Sequence, residues 1–271
     1  MNTKAYKKDF SGIGIRMLIS TAVILLLQIG AQSLALTLFP QWQNNLTILL
    51  AVTMVPLYVL GFPFSFFLIR NKDMPSMEKH TMTAGQLAVS FMMCYGIMIA
   101  GNLIGLGVTA GIGLIKGSPV QNALLDVVTG GSLWVTAIFT VLCAPVFEEI
   151  LFRKLICDKV IKYGEGCAVV LSGLIFGLFH MNFNQFFYAF FLGCFFAFIY
   201  VKTGNLKYTI LLHMLINFSG SVLGVIIMTP GSDETLRHRH IRYLLSLRLR
   251  HGNLRHRSAH RETAFTDICT G

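Results

Sequence analysis

The chain has 271 residues, of which 54% are hydrophobic and 13% charged, and its mean hydropathy is +0.66. An average soluble domain has about 25% charged residues, so this composition excludes an ordinary soluble enzyme. Its net charge of +10 is divided between short loops and a C-terminal tail. Six scattered cysteines form no CxxC pair, which argues against a disulfide scaffold or a zinc ribbon. We therefore predict an all-α fold, a polytopic transmembrane helix bundle.

Seven apolar runs predict about seven membrane spans. The first is interpreted as a retained span rather than a signal peptide, because no small-residue cleavage site follows it convincingly. Glycines in the third suit close helix packing, although a broken or flexible helix is an equal alternative. The sixth is aromatic and is interpreted as lipid-facing and core surface. The runs are about 13–39, 46–69, 84–115, 131–147 (continuing as an amphipathic extension through Arg153), 167–180, 185–201 and 208–228.

The tail, residues 232–271, differs in composition from the rest of the chain. It holds eight arginines, no lysine and five of the eight histidines, whereas residues 1–231 hold three arginines and eleven lysines. Our hypothesis is that a natural eighth span has been lost and replaced by unrelated sequence. A nucleic-acid-binding or lipid-binding tail is the alternative, but no aromatic interleaving accompanies the charge, so we expect no nucleic-acid partner. The predicted organisation is N-terminal helices at 1–129, a catalytic core at 130–228 and a tail outside the fold at 229–271.

Loop charges predict the orientation of the chain. Lysine and arginine occur at the N-terminus, in 70–79, in 153–162 and in 202–207. Loops at 41–45 and 181–184 lie between them and are nearly uncharged, and the loop at 116–126 carries little charge. This alternation predicts a cytoplasmic N-terminus.

Two adjacent carboxylates and an arginine end the fourth apolar run. Each ionisable group at membrane depth costs about 2.5–3.5 kcal/mol, so a chain that keeps three of them together has a use for them. Glu149 and Arg153 are four residues apart and share a helix face, which predicts an ion pair. Glu148 is rotated by about 100° and has no cation at i+3 or i+4. We predict that Glu149 and Arg153 brace the helix and that Glu148 performs the chemistry.

Two histidines lie at or within later apolar runs. Phe176 precedes His180 by four residues and is predicted to pack against its ring. Asn217 follows His213 by four residues, so two hydrogen-bond donors point the same way from one helix. Such donors can form an oxyanion hole, and a helix–helix hydrogen-bond clamp is the equal alternative.

Together these residues are typical of hydrolysis of an acyl or peptide bond. A carboxylate with a histidine can hold and deprotonate a water molecule, and the donors on the last span can stabilise the tetrahedral oxyanion. No GxSxG nucleophile motif and no glycine-rich phosphate loop occurs in the chain.

The order Glu148-Glu149-x-x-x-Arg153, Phe176-x-x-x-His180 and His213-x-x-x-Asn217 resembles the three-motif pattern of the CPBP intramembrane protease family, also called Abi or CAAX-protease-like. This resemblance covers about residues 130–225. It implies Glu148 and His180 as the water-activating pair, and His213 and Asn217 as the oxyanion-stabilising pair. It favours no metal cofactor; if zinc takes part, Glu148, His180 and His213 would be its ligands. The C-terminus departs from the family, whose final helix would be missing here.

The resemblance implies an intramembrane endopeptidase in a bacterial cytoplasmic membrane. Its expected partners are the lipid bilayer and a substrate that is a peptide precursor, a bacteriocin-related peptide or a membrane-protein segment; the oligomeric state is not indicated. A non-catalytic immunity or scaffold protein is the alternative from a different class. A transporter is a weaker one, because paired carboxylates can relay protons but no internal repeat is present.

Overall fold

The computed structural model describes residues 3–70, 77–120 and 131–223, with side chains from residue 7 onward. Within these ranges the chain forms seven main helices and no β-strand, which confirms the predicted all-α bundle. The tail lies outside the described residues, and so does the predicted loss of an eighth span. The helices are α1 (Thr3–Leu38), α2 (Leu46–Ile69), α3 (Ala84–Lys116), α4 (Leu133–Tyr163), α5 (Glu165–Phe179), α6 (Phe183–Thr203) and α7 (Leu206–Asn217, continued as a π-helix over Phe218–Leu223).

Among the described helices, α1, α2, α3, α4 and α6 are long and apolar enough to cross a membrane. Helix α5 is apolar but shorter, and the number of spans stays a prediction. The protein is an integral membrane protein.

Helix ends follow local sequence signals. Asn45 and Thr83 accept hydrogen bonds from backbone N–H groups in the first turns of α2 and α3, as N-cap residues do. Gly204 ends α6 in a left-handed conformation (φ 57°), and Asn205 then caps α7. Gly204 and Asn205 thus form the turn between the last two described helices.

Helix α6 lies at the centre of the bundle. It packs against α5 on one side and α3 on another. Helix α7 contacts α3, α4 and α6, whereas α1 and α2 pack together and α2 lies against α4. Helix α4 is thus enclosed by α2, α5 and α7, which places its polar residues inside the bundle.

The glycine-rich run forms one continuous helix, α3, and two of its glycines serve close packing. A Cβ atom at Gly101 would overlap the backbone of Tyr188, and one at Gly105 would lie 3.1 Å from the carbonyl oxygen of Asn184. The packing interpretation is therefore confirmed at these two positions. A Cβ at Gly107 would meet nothing within 4 Å.

We expect Gly101→Ala to lower the free energy of unfolding by about 1–3 kcal/mol, because the added methyl forces α3 away from α6. Gly107→Ala on the same helix is the matched control, and it should leave stability unchanged or raise it, since alanine favours helix more than glycine does. Chemical unfolding in detergent measures both variants. Equal stability of the two would contradict the packing account.

The basic segments gather at one end of the bundle, as the alternation of loop charges requires. This grouping agrees with a common side for all four segments, while the identity of that side stays a prediction. The contacts that join them are Lys162 Nζ to Asp9 Oδ2 at 2.5 Å, Lys159 Nζ to the Ile69 carbonyl at 3.4 Å, Lys202 Nζ to Glu165 Oε2 at 2.5 Å, and His80 N to the Thr203 carbonyl at 2.8 Å.

Helix α4 differs from the predicted fourth span in length and in winding. It continues to Tyr163, so Glu148 lies near the middle of the helix rather than near its end. Two π-helical segments, Ala137–Cys143 and Ile150–Cys157, flank an α-helical turn at Ala144–Glu149. Segments of π-helix are rare and frequently occur at functional sites. The turn that carries both carboxylates is therefore bounded by altered backbone on each side.

Candidate active site

Glu149 is completely buried and its carboxylate lies against two side chains, Arg153 and His213. Its Oε2 lies 3.0 Å from Nε of Arg153, which is also fully buried, and its Oε1 lies 3.0 Å from Nδ1 of His213. The predicted pairing of Glu149 with Arg153 is thus found. The sequence did not predict that the same carboxylate also holds His213, three helices further along the chain.

Aromatic rings surround the Arg153 guanidinium. Its Cζ lies 4.7 Å from the centroid of Phe176 and 5.6 Å from that of Phe196. Such cation–π contacts stabilise a desolvated cation by about 2 kcal/mol. Nη1 also donates to the hydroxyl of Ser172 at 3.4 Å. The buried ion pair is therefore held from α5 and α6 as well as within α4.

Glu148 differs from its neighbour in exposure and in partners. Its side chain is 15% exposed, and Nε2 of His213 lies 3.8 Å from its Oε2. Among the described residues no group donates a hydrogen bond to its carboxylate. The two adjacent carboxylates thus differ in their surroundings: the oxygens of Glu149 each lie 3.0 Å from a nitrogen of Arg153 or His213, whereas Glu148 has only the 3.8 Å approach of His213 and is open to a further partner.

His180 ends α5 and is held by Phe176, as predicted. Its Nδ1 lies 2.8 Å from the Phe176 carbonyl oxygen, and the two rings meet edge to face at 4.9 Å. A carbonyl oxygen only accepts, so this bond places a proton on Nδ1 and leaves Nε2 as the acceptor. The ring of Phe176 also contacts His213 edge to face at 5.7 Å. One phenylalanine therefore lies against both candidate histidines.

His180 is not within ion-pair distance of Glu148; in the described part of the chain that position belongs to His213. The structure therefore does not bring the predicted water-activating pair, Glu148 and His180, into direct contact, and their joint action on water stays a prediction.

Asn217 lies one turn beyond His213 on α7, and the structure gives it a partner on α4. Its Nδ2 donates to the Thr140 carbonyl oxygen at 2.8 Å. The helix–helix clamp that the sequence left open is therefore present. An amide nitrogen carries two protons, so the second one remains for an oxyanion.

No three histidine, cysteine, aspartate or glutamate side chains in the described ranges are grouped so as to hold a metal ion. The zinc alternative, with Glu148, His180 and His213 as ligands, does not fit this placement of side chains. A metal-free mechanism stays a proposal.

The sequence did not single out two buried residues, Phe196 and Asp158, as candidates. Phe196 stacks on His213 with centroids 5.2 Å apart, although its run was interpreted only as lipid-facing and core surface. Asp158, also on α4, is buried and binds Lys154 at 2.5 Å and the Tyr200 hydroxyl at 2.8 Å. The i,i+4 spacing of Lys154 and Asp158 in an apolar stretch is a signal that could have found this second buried carboxylate.

Comparison with known proteins places this arrangement in context. Residues 130–219 match the family described as Type II CAAX prenyl endopeptidase Rce1-like. The protein named "Putative membrane peptidase YdiL", from Bacillus subtilis (strain 168), is 30% identical over 106 residues, which are 39% of this chain and 43% of that protein. The chain thus matches less than half of this relative's length. No solved structure matches significantly. The matched segment holds every candidate site residue named above and is similar to the CAAX-protease-like family.

Proposed function

We propose that the protein is an intramembrane endopeptidase that hydrolyses a peptide bond with water activated by Glu148 and His180. The observation that carries this proposal is the difference between the two adjacent carboxylates. The Glu149 carboxylate lies between Arg153 and His213, whereas Glu148 is partly exposed beside the imidazole of His213. A carboxylate without a fixed partner, facing a histidine inside an apolar bundle, is suited to take a proton from water.

The reaction begins when Glu148 removes a proton from a water molecule that also bonds Nε2 of His180. The resulting hydroxide attacks the carbonyl carbon of the peptide, and the negative charge moves to the carbonyl oxygen. The C–N bond then breaks, and Glu148 returns its proton to the leaving nitrogen. One water molecule is consumed, and a carboxylic acid and an amine are formed.

His213 and Asn217 are proposed to stabilise the oxyanion. Donors aimed at this charge contribute about 3–4 kcal/mol each in well-studied enzymes. The Nδ1 proton of His213 faces Glu149, so a bond from Nε2 to the oxyanion requires protons on both ring nitrogens. Two carboxylates lie beside the ring, Glu149 at 3.0 Å from Nδ1 and Glu148 at 3.8 Å from Nε2. Glu149 would then be a positioning residue for His213 as well as the partner of Arg153.

The substrate we propose is a peptide precursor or a membrane-protein segment, in the cytoplasmic membrane of a bacterium with the N-terminus of the protease inside. A site near the middle of a membrane helix suits an extended segment that enters from the bilayer or its surface. Processing of a bacteriocin-related peptide is one form of this activity.

Cleavage of a peptide library by detergent-purified protein, read by mass spectrometry, tests the proposal. The Glu148→Gln variant is assayed in parallel. Cleavage by the wild type alone supports the endopeptidase. Equal cleavage by both removes Glu148 from the chemistry. No cleavage by a well-folded wild type overturns the proposal in favour of an immunity or scaffold protein.

Exhaustive chelation is expected to leave the rate of cleavage unchanged within about twofold, because the proposed base and donors need no metal. The assay compares protein dialysed against a strong chelator with the same protein after zinc is added back. An activity that disappears on chelation and returns only with zinc would show that the mechanism depends on metal.

A further inference from the structure

Two consecutive backbone carbonyls of α4 accept hydrogen bonds from side chains of two different helices, α2 and α7. The Tyr58 hydroxyl, on α2, donates to the carbonyl oxygen of Phe139 at 3.0 Å. Asn217, on α7, donates to the next carbonyl, that of Thr140, at 2.8 Å. Both acceptors lie in the π-helical segment Ala137–Cys143. This segment is thus held between α2 and α7.

The Phe139 carbonyl marks the point at which α4 changes its winding. It also accepts the backbone N–H of Ala144, five residues later, as a π-helix requires. Ala144 begins the α-helical turn that ends at Glu149 and carries Glu148. A carbonyl oxygen has two lone pairs, and here one closes the π turn while the other binds Tyr58.

The ring of Tyr58 contacts α4 both before this turn and within it. It lies parallel to the ring of Phe139, with centroids 5.9 Å apart and planes within 8°. It also lies 5.1 Å from the ring of Phe147, the residue before Glu148. Tyr58 therefore touches the helix before and beside the carboxylate that the proposed mechanism uses as its base.

We propose that Tyr58 is a positioning residue of the active site, which sets the rotation of the Glu148 turn through the Phe139 carbonyl and the Phe147 ring. Its position on α2 lies outside the family-matched segment 130–219. The N-terminal helices thus contribute to the geometry of the site rather than only anchoring it in the membrane. This inference rests on the proposed peptidase function.

Tyr58→Phe is the sharpest variant, because it keeps the ring contacts and removes only the hydroxyl. We expect kcat for the best library peptide to fall by roughly ten- to a hundredfold, since a displacement of about 1 Å costs that much. KM should change by less than about twofold, because the substrate-binding surface is intact. Tyr95→Phe is the matched control: this half-exposed tyrosine on α3 contacts the Phe91 ring, away from α4.

A second readout needs no peptidase activity. Cys143 ends the π segment and is partly buried, and Cys167 on α5 has a similar exposure. Loss of the Tyr58 hydrogen bond should change the alkylation rate of Cys143 by roughly fivefold, the equivalent of one ordinary hydrogen bond. Alkylation of Cys167 should stay the same. Mass spectrometry of each cysteine-containing peptide gives both rates from one sample.

The two readouts separate failure of the inference from failure of the proposed function. A changed Cys143 rate together with a lower kcat at constant KM supports the inference. An unchanged Cys143 rate overturns it, and so does a changed rate with normal kcat or with an effect on KM alone. If the wild type cleaves no peptide, the peptidase proposal fails on its own, and the Cys143 rate then decides the effect of Tyr58 on the Glu148 turn: a changed rate supports it and an unchanged rate overturns it. Both assays are run well below each variant's unfolding temperature, so that loss of folded protein is not counted as loss of positioning.

Discussion

Glu148→Gln is expected to lower the rate of peptide cleavage by roughly 10²–10⁴-fold, the usual contribution of a general base. Glutamine keeps the size of the side chain and cannot accept the proton of the attacking water. Stability should change little, because Glu148 is partly open and no described residue donates a hydrogen bond to it. The measurement is kcat/KM for the best peptide from the library, with the unfolding temperature recorded on the same preparation.

Glu78→Gln is the matched control for this substitution. The Glu78 side chain is 86% exposed, and its ion pair with His80 spans 3.8 Å at the surface. It should therefore retain full activity, and both variants should unfold at the temperature of the wild type. A Glu148→Gln protein that cleaves at more than about a tenth of the wild-type rate would be incompatible with general-base catalysis by this residue.

Arg153→Met is expected to lower the free energy of unfolding by about 3–5 kcal/mol, the usual result of removing one partner of a buried ion pair. The variant leaves the Glu149 carboxylate fully buried and without its arginine, with the His213 ring still beside it. It also removes the cation that lies against the Phe176 and Phe196 rings. Equilibrium unfolding in detergent measures the change.

A double variant shows whether this loss comes from the uncompensated carboxylate. Adding Glu149→Gln to Arg153→Met removes the stranded charge, so the double variant should be more stable than Arg153→Met alone. Lys207→Met, at an exposed lysine near the start of α7, is the control for loss of a surface cation and should change stability by less than about 0.5 kcal/mol. A loss below about 1 kcal/mol for Arg153→Met would show that the pair does not brace the bundle.

The relations that the sequence predicted correctly are local ones. Residues four apart on a helix share a face whatever surrounds them. The pairing of Glu149 with Arg153 and the packing of Phe176 on His180 therefore followed from spacing alone. The helices themselves followed from the apolar runs.

Relations between helices did not follow, because spacing within one helix does not determine which face of a neighbour it meets. The contact of His213 with Glu149 depends on how α7 crosses α4, and the bond from Tyr58 depends on α2. The π-helical segments were not predicted either. In the first of them, the Phe139 and Thr140 carbonyls bind side chains of other helices, and spacing within α4 cannot reveal such partners. The extra length of α4 moved Glu148 from the expected helix end to its middle.

The ion pair within α4 also bears on the order in which the chain is assembled. During synthesis α4 enters the membrane before α7 exists, so Glu149 meets the bilayer without His213. An unpaired charge at the centre of a membrane helix costs about 2.5–3.5 kcal/mol on insertion. Because Arg153 lies one turn away on the same helix, the two charges can neutralise each other as soon as that turn forms. The helix therefore carries its own counter-ion as it inserts into the membrane, and His213 is added later to a carboxylate that is already in place.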